Sequence, residues 1–549
     1  MSTVQSAAIR LFIFVVFALT ITLTTHAQTY TVLDNLGMAN TDPLSPAWMG
    51  VFAQGRDGNL YSTTQAGGDF ISGHQYGTVF RLTPDGSVTV LHSFDGTNGG
   101  KPNSGLTLAT DGNFYGTTPS GGIGWGTIFR VTPNGTYALI HSFNGFSEGT
   151  SPNAPPIQGF DGNLYGLAGD GNNSVFGTFY RLNASGVFTV LYTFDSTNRY
   201  PKSLVLGTDG NFYGTTTGTS TGLGTVFKMT PQGKISILHK FSGTDGSNPL
   251  GQLIQATDGN FYGTTKTGGS GLYGVAYRIT PSGAFTVLHN FANDYQGSTP
   301  IAGLVQATDG NFYGMAFSNP GASSGLLYEL TSKGTYTILH EYLSKNKDGA
   351  SPQTAMIQHT GGLLFGDTYA GGIGSFCACG TLFSLDLGLG PFVTFLPPQS
   401  AAKVGKPVGL LGQGFTGASN VTFGGIPASF SVASDTYMTA TVPSGAETGP
   451  IRVTTSGGTL TSNKKFRVTP QITSFDPPSG PVGTPVTITG VSLTQTLGVA
   501  FGGVRATAFT VLSDTQVSAT VPVGAVTGKV GIGTPGGTTT SATNFTVTQ

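Results

Sequence analysis

One phrase, Asp-Gly-Asn-(Phe/Leu)-Tyr, recurs down this chain, starting at Asp57, Asp111, Asp161, Asp209, Asp258 and Asp309, with a degraded seventh copy at Gly361-Gly362-Leu363-Leu364-Phe365. The intervals are 54, 50, 48, 49, 51 and 52 residues. Two further phrases keep step with it. One is Gly-Thr-Val-Phe-like and opens at Gly77, Gly126, Gly177, Gly224, Gly274, Gly325 and Gly380; the other is Thr-Val-Leu-His-Ser-Phe-like. Periods of roughly 20 to 50 residues mark solenoids and propellers. Each unit reads as four short strands, which in the second unit are about Leu106 to Thr110, Phe114 to Thr118, Thr127 to Thr132 and Tyr137 to Phe143. Asp111-Gly112-Asn113 and Pro133-Asn134-Gly135 fall between strands, where Gly accepts positive φ and Asp or Asn bonds its own backbone, as hairpin turns require.

The third phrase is out of phase in one place. It occurs at Val88–Phe94, Tyr137–Phe143, Phe188–Phe194, Ile235–Phe241, Phe285–Phe291 and Tyr336–Tyr342, but is missing after Gly380-Thr381-Leu382-Phe383. Its seventh copy, Tyr30 to Leu36, stands ahead of the first unit. A ring gains hydrogen bonds for two otherwise exposed sheet edges from such a permutation, whereas an open solenoid gains nothing. The expectation is all-β: a seven-bladed β-propeller over residues 28–389, closed by the N-terminal strand. The DGNFYGTT, GTVFRLTPxG and TVLHSF phrases of residues 30 to 386 resemble those of the GloVer tandem-repeat family of bacterial exported proteins. That resemblance implies a surface or secreted propeller and brings no catalytic residues with it. Kelch propellers share the period and the Gly-Gly after the second strand (Gly121-Gly122, Gly268-Gly269), but Trp48 and Trp125 are the only tryptophans here.

From about Gly390 a 79-residue period takes over. Phe395-Leu396-Pro397-Pro398 returns as Phe475-Asp476-Pro477-Pro478, Phe423-Gly424-Gly425 as Phe501-Gly502-Gly503, and Ser434-Asp435-Thr436 as Ser513-Asp514-Thr515. Alternation in Tyr437–Val442 and Gln516–Val521 reads as half-buried strands. The doublet resembles tandem IPT/TIG domains, which implies two immunoglobulin-like β-sandwiches, at 390–469 and 470–549. About five residues lead in from the repeats and Thr469-Pro470 joins the sandwiches, so a semi-rigid stalk is expected.

Lys plus Arg number 24 against 25 Asp plus Glu, which leaves no basic field for nucleic acid. Residues 1–27 carry Arg10, a 13-residue apolar run from Leu11 to Leu23, and a small-residue cleavage site ending at Ala27. This reads as a secretory signal, since the run is shorter than the ~20 residues that span a bilayer. The mature chain is thus expected to be a monomer without a membrane span, secreted or held at the cell surface or in the periplasm.

Repeated residues read as scaffold. Each Asp-Gly-Asn turn offers one carboxylate and lacks the calcium-loop ladder. His92, His141, His239, His289 and His340 share one register of the fourth strand and read as packing residues. Arg81, Arg130, Arg181, Lys228 and Arg278 recur on the third strand, as ion-pairing positions or as a positive arc for an anionic glycan. No metal or other cofactor is called for, and no acid–base pair, nucleophile motif or phosphate loop stands out. The asymmetry singled out is loop length: 15 residues from Ser62 to Tyr76 and 14 from Gly366 to Cys379, against 10 or 11 in the other units. Those two loops meet at the closure and place Asp69, His74, Asp367 and Tyr369 in one candidate ligand patch, with Cys377 and Cys379 beside it as a possible local disulfide. The leading expectation is a non-enzymatic binding or adhesion protein whose partner is an extracellular glycan or a surface protein. The alternatives are a glycan-active lyase or hydrolase with its site at that seam, and a structural envelope component.

Overall fold

The computed structural model describes residues 28–38, 42–46, 51–69, 75–169, 176–218, 223–292, 297–317, 323–343, 347–373 and 379–549. The proposed export signal at 1–27, His74 and Cys377 lie outside them. Regular structure among the described residues is β throughout, apart from one 3-10 turn at Phe415–Gly417.

Between Thr29 and Asp386 lie seven antiparallel sheets of four or five strands. The second shows the pattern: Thr107–Leu108, Phe114–Thr118, Thr127–Val131 and Tyr137–Ser142 pair in that order. Its first turn is held by side chains. Asp111 Oδ1 accepts from the Asn113 N–H, and its Oδ2 accepts from the Asn113 amide (2.8 Å) and the Tyr115 hydroxyl (2.9 Å). The same three bonds recur at Asp57, Asp161, Asp209, Asp258 and Asp309. Tyr61, Tyr165, Tyr213, Tyr262 and Tyr313 are buried and Tyr115 half-buried, and each finds a partner for its hydroxyl at once.

The seventh sheet is built from both ends of the repeat region: Ile357–Gln358, Leu364–Thr368 and Thr381–Asp386 are followed by Thr29–Asn35 as the outer strand. Tyr30 pairs with Leu385 and Val32 with Phe383 in an antiparallel register.

Successive sheets are joined by two recurring contacts. On the inner strands, the N–H of the turn threonine donates to a glutamine of the next sheet: Thr110 to Gln158, Thr208 to Gln255, Thr257 to Gln306 and Thr308 to Gln358, all at 2.8–2.9 Å. Thr360 of the seventh sheet donates to Gln54 of the first in the same way, at 3.0 Å. On the outer strands each repeated histidine lies flat on the aromatic residue that opens the next outer strand. His92 stacks on Tyr137, His141 on Phe188, His239 on Phe285, His289 on Tyr336 and His340 on Tyr30, with centroids 3.9–4.1 Å apart. The histidine register is therefore a packing ladder, and Glu148, Asp245 and Asp348 face His141, His239 and His340 at 3.0–3.1 Å.

The degraded seventh repeat is compensated. Where other units carry Gly or Ala two residues before the turn Asp, this one has His359, 4% exposed. Its Nδ1 accepts from the Gly361 N–H (3.0 Å), replacing the lost carboxylate, and its Nε2 donates to Gly58 O of the first sheet (2.9 Å). Burial holds this imidazole below the ordinary histidine range, the Gly58 bond opposing. Its contribution is therefore present above the unfolded histidine range near 6.5 and is lost as pH falls through it. His359→Phe is expected to cost about 1–3 kcal/mol in urea melts at pH 8, and the gap to the parent is expected to narrow below pH 6.

Two sandwiches follow, each with its own core: Val393 to Val468 around Phe423 and Phe466, and Val486 to Phe545 around Phe501 and Phe545. Tyr437–Thr441 and Gln516–Thr520 alternate in burial as their sequences imply. The first sandwich does not stand off as a stalk. Leu396, Leu411 and Tyr437 join the core formed by Ala53, Tyr61 and Phe114, and the Arg56 guanidinium lies 4.6 Å over the Tyr437 ring. Thr436 donates to Arg56 O (2.7 Å), Gln413 donates to the Thr360 hydroxyl (2.9 Å), and the Arg467 guanidinium lies over Phe160. This sandwich thus covers the Asp-Gly-Asn turn side of the repeat sheets.

Candidate functional site

At the end of the sheets remote from those turns, a cavity of about 440 Å³ is lined by Gln65, Asn103, Asn153, Lys202, Leu250, Ile301 and Tyr369, one residue from each of the seven sheets or the loops that enter them. That volume lies within the ~300–1,000 Å³ of small-ligand sites. A smaller space of about 10 Å³, roughly the room a single water needs, shares Leu250 and Ile301 with it and is otherwise lined by Val51, Gln252, Gly303, Gln353 and Ala355.

The repeat builds this lining. In the second to seventh units the inner strand is introduced by X-Pro-Y, and X holds a left-handed backbone although it is never glycine: φ is 53° at Lys101, 46° at Ser151, 60° at Tyr200, 54° at Asn248, 58° at Thr299 and 53° at Ser351. Such a conformation costs about 1–2 kcal/mol per residue, and a hydrogen bond to the preceding sheet fixes it. Lys101 N–H donates to Tyr76 O (2.6 Å), Ser151 to Trp125 O, Asn248 to Leu223 O and Thr299 to Tyr273 O (each 2.9 Å). The proline packs on the glycine that opens the preceding third strand; at Gly126 (φ +103) a Cβ would fall 2.7 Å from Pro152 Cδ. Residue Y, held this way, lines the cavity as Asn103, Asn153, Lys202, Leu250 or Ile301.

The lining is asymmetric. Gln65, Asn103, Asn153, Lys202 and Tyr369 offer amide, ammonium and phenol groups over five sheets, while Leu250 and Ile301 make an apolar wall over the other two. The Asn103 amide donates to Asn153 Oδ1 at 3.2 Å. Lys202 is the one charged residue in the lining. Among the described residues no group of three or more His, Cys, Asp or Glu is placed to hold a metal ion, and no helix is long and apolar enough to cross a membrane.

Of the residues the sequence singled out, the structure brings only Tyr369 to this cavity. Asp69 is described but is not part of the lining, and His74 lies outside the described residues. Asp367 is not at a surface: it is 1% exposed in the strand Leu364–Thr368, opposite Leu382. The strand is buried on both faces, so a position that reads as the mouth of a loop is core. Burial raises its carboxyl to about 8, the Thr354 hydroxyl bond at 2.5 Å opposing. Cys379 is disulfide-bonded, and Cys377, the chain's other cysteine, lies outside the described residues. Three of the recurring basic residues are tied into the scaffold: Lys228 pairs with Asp209 at 2.8 Å, Arg81 reaches Thr89 and Arg278 reaches Thr286. Sequence reasoning passed over the slot after the repeated proline. The signal there is an invariant Pro followed by a residue that changes chemistry from unit to unit.

The model of the Gloeobacter/Verrucomicrobia repeat matches residues 15–218 and 197–383, and that of the IPT/TIG domain matches 392–468 and 470–547. No curated protein matches the chain at a significant level. Among solved structures, a fungal alcohol oxidase of the AA5 family in complex with copper aligns at 14% identity and TM-score 0.43, over 80% of this chain and 98% of its own. A Lactobacillus plantarum protein aligns at 14% and 0.37, over 67% and 92%. A surface glycan-binding protein from Prevotella bryantii aligns at 18% and 0.21, over 27% and 38%. At these identities and scores the likeness carries nothing about ligand or chemistry.

Proposed function

Because the chain belongs to the Gloeobacter/Verrucomicrobia repeat family and ends in two IPT/TIG domains, we propose that it is an exported, non-enzymatic binding protein. In this reading the seven sheets are blades of a closed propeller, and the cavity at its axis takes a carbohydrate. Closure is supported by the outer strand Thr29–Asn35 on the seventh sheet, by Thr360 bonding Gln54 as Thr110 bonds Gln158, and by Tyr30 under His340 as Phe188 lies under His141.

The lining carries the ligand assignment. A sugar ring presents hydroxyls at its edge and C–H groups on its face. Side-chain amides that both donate and accept suit the first, and an apolar wall with a phenol suits the second. Leu250 and Ile301 stand among Gln65, Asn103, Asn153 and Tyr369 in that arrangement. Export and a surface position are supported by the signal-like sequence of residues 1–27 and by the company of the IPT/TIG pair. The first sandwich covers the turn side, at the opposite end of the repeat sheets from the cavity.

The test is a glycan array probed with the full chain, with products monitored by mass spectrometry. Binding without turnover is expected. An Asn103→Ala/Asn153→Ala chain, folded by circular dichroism, is expected to lose about tenfold or more in affinity, the loss of one or two hydrogen bonds. Retained affinity would place the ligand elsewhere, and released products would make the protein an enzyme.

A further inference from the structure

We propose that Tyr76 and Trp125 form a second carbohydrate subsite on the rim of the cavity, a platform on which a sugar chain seated in the cavity lays the faces of its next rings. The inference rests on the carbohydrate reading of the cavity.

Tyr76, Trp125, Phe176, Leu223 and Tyr273 occupy one slot of the repeat, the residue before the glycine that opens each third strand. They are not equivalent in the structure. Trp125 lies against Gly145, where a Cβ would come within 2.4 Å of the indole, and Tyr76 lies against Gly96, where a Cβ would come within 3.1 Å of the ring. Both glycines have positive φ, +72° and +84°. A bare Cα therefore backs each ring, and Trp125 and Tyr76 remain 37% and 41% exposed. Phe176, by contrast, is covered by the Arg199 guanidinium at 4.6 Å, Leu223 has no ring, and Tyr273 is half-buried.

The two exposed rings stand in the same sector as the cavity's paired amides. Tyr76 O accepts from Lys101 N–H and Trp125 O from Ser151 N–H. Two residues further on, at most ~7 Å of chain, Asn103 and Asn153 line the cavity and bond each other. The geometry thus aligns edge-binding amides with face-binding rings along one radial path. A flat ring backed by glycine offers a plane and no pocket for a protein side chain, whereas a pyranose face of C–H groups fits a plane.

The experiment uses the full chain carrying Trp48→Phe, so that Trp125 is the only indole, and β-linked gluco-, xylo- and manno-oligosaccharides of one to six rings. Affinity is read by calorimetry, and Trp125 by its emission and its quenching by acrylamide. One- and two-ring sugars are expected to bind without changing Trp125 emission, and longer ones to shift it to the blue and protect it. In the native background, Trp125→Ala is expected to weaken the longer sugars about tenfold and leave the short ones unchanged, with Trp125→Phe restoring most of the loss. Affinity that does not rise with length, or a Trp125→Ala loss equal for short and long sugars, would overturn the platform and leave the cavity reading standing. If no sugar binds, both fall. Protection of Trp125 by a protein ligand and by no sugar would assign the rim to that partner and overturn the proposal.

Discussion

A chain lacking Thr29–Leu36 is expected to unfold at a much lower urea concentration than the parent, or to be recovered as aggregate. These eight residues supply the outer strand of the seventh sheet, paired from Thr29–Asp386 to Asn35–Thr381, and Leu36 buries fully while its N–H donates to Gly380 O. Without them the strand Thr381–Asp386 becomes a long unpaired edge, a template for pairing with other chains. Tyr30→Ala is the finer version. The Tyr30 ring stacks on His340 at 3.9 Å, meets Tyr342 edge-on and tilts against Phe383, and its hydroxyl donates to Asp348 O at 2.9 Å. The ring is partly buried, so removing it is expected to cost about 2–3 kcal/mol, less than the ~3–5 kcal/mol of a fully buried aromatic. An unchanged denaturation midpoint in either chain would mean that the N-terminal strand closes nothing.

Asp367→Asn is expected to remove a pH dependence from the parent's stability. The folded carboxyl is raised to about 8 from an unfolded value near 4, so the folded state holds a proton the unfolded state has lost. Its contribution is full below the unfolded value and is lost as pH rises through 8, at about 1.4 kcal/mol per pH unit across that window. Asparagine keeps the acceptor for Thr354 and carries no titrating proton. The variant is therefore expected to match the parent below pH 4 and exceed it by several kcal/mol at pH 8 in parallel denaturant melts, whereas parallel stability curves would place Asp367 in contact with water. The slot explains the residue. Its equivalents Thr63, Thr117, Thr215 and Thr264 donate a hydroxyl to the next sheet, to Ser104 O, Ala154 O, Pro249 O and Ala302 O, and a protonated carboxyl keeps an O–H in that place.

Architecture was legible because it is written in repetition. The phase of the three phrases set the strands of each unit within a residue or two, and the displaced copy at Tyr30–Leu36 located the odd strand of the seventh sheet. The alternation in Tyr437–Thr441 set the faces of the sandwich. What repetition cannot show is how neighbouring copies meet. The Thr–Gln bonds and the His–aromatic stacks join residues roughly 45 to 50 positions apart, or more than 300 where the seventh sheet meets the chain's start (Thr360–Gln54, His340–Tyr30), and their parts look like ordinary strand residues. His359 looked like part of a decayed repeat, although its ring takes over the lost carboxylate's bond.

The site was less legible, because function here sits in variation inside a constant phrase. Loop length drew attention to Asp69, His74, Asp367 and Tyr369, and of the three that are described only Tyr369 lines the cavity. The other six lining residues lie on six different units, and five of them directly follow the repeated proline. The sandwich contact escaped notice for another reason. Leu396, Leu411 and Tyr437 are apolar residues in a β-sandwich, and sequence alone gives no sign that they pack on Tyr61 rather than on their own core.

The most direct measurement is a crystal structure of the full chain with the best oligosaccharide from the array. Sugar density is expected in the cavity lined by Asn103, Asn153, Lys202 and Tyr369, with one ring edge bonded to the two asparagines and the chain leaving over Trp125. Density confined to either sandwich or to the outer strands, with the cavity holding solvent alone, would contradict it.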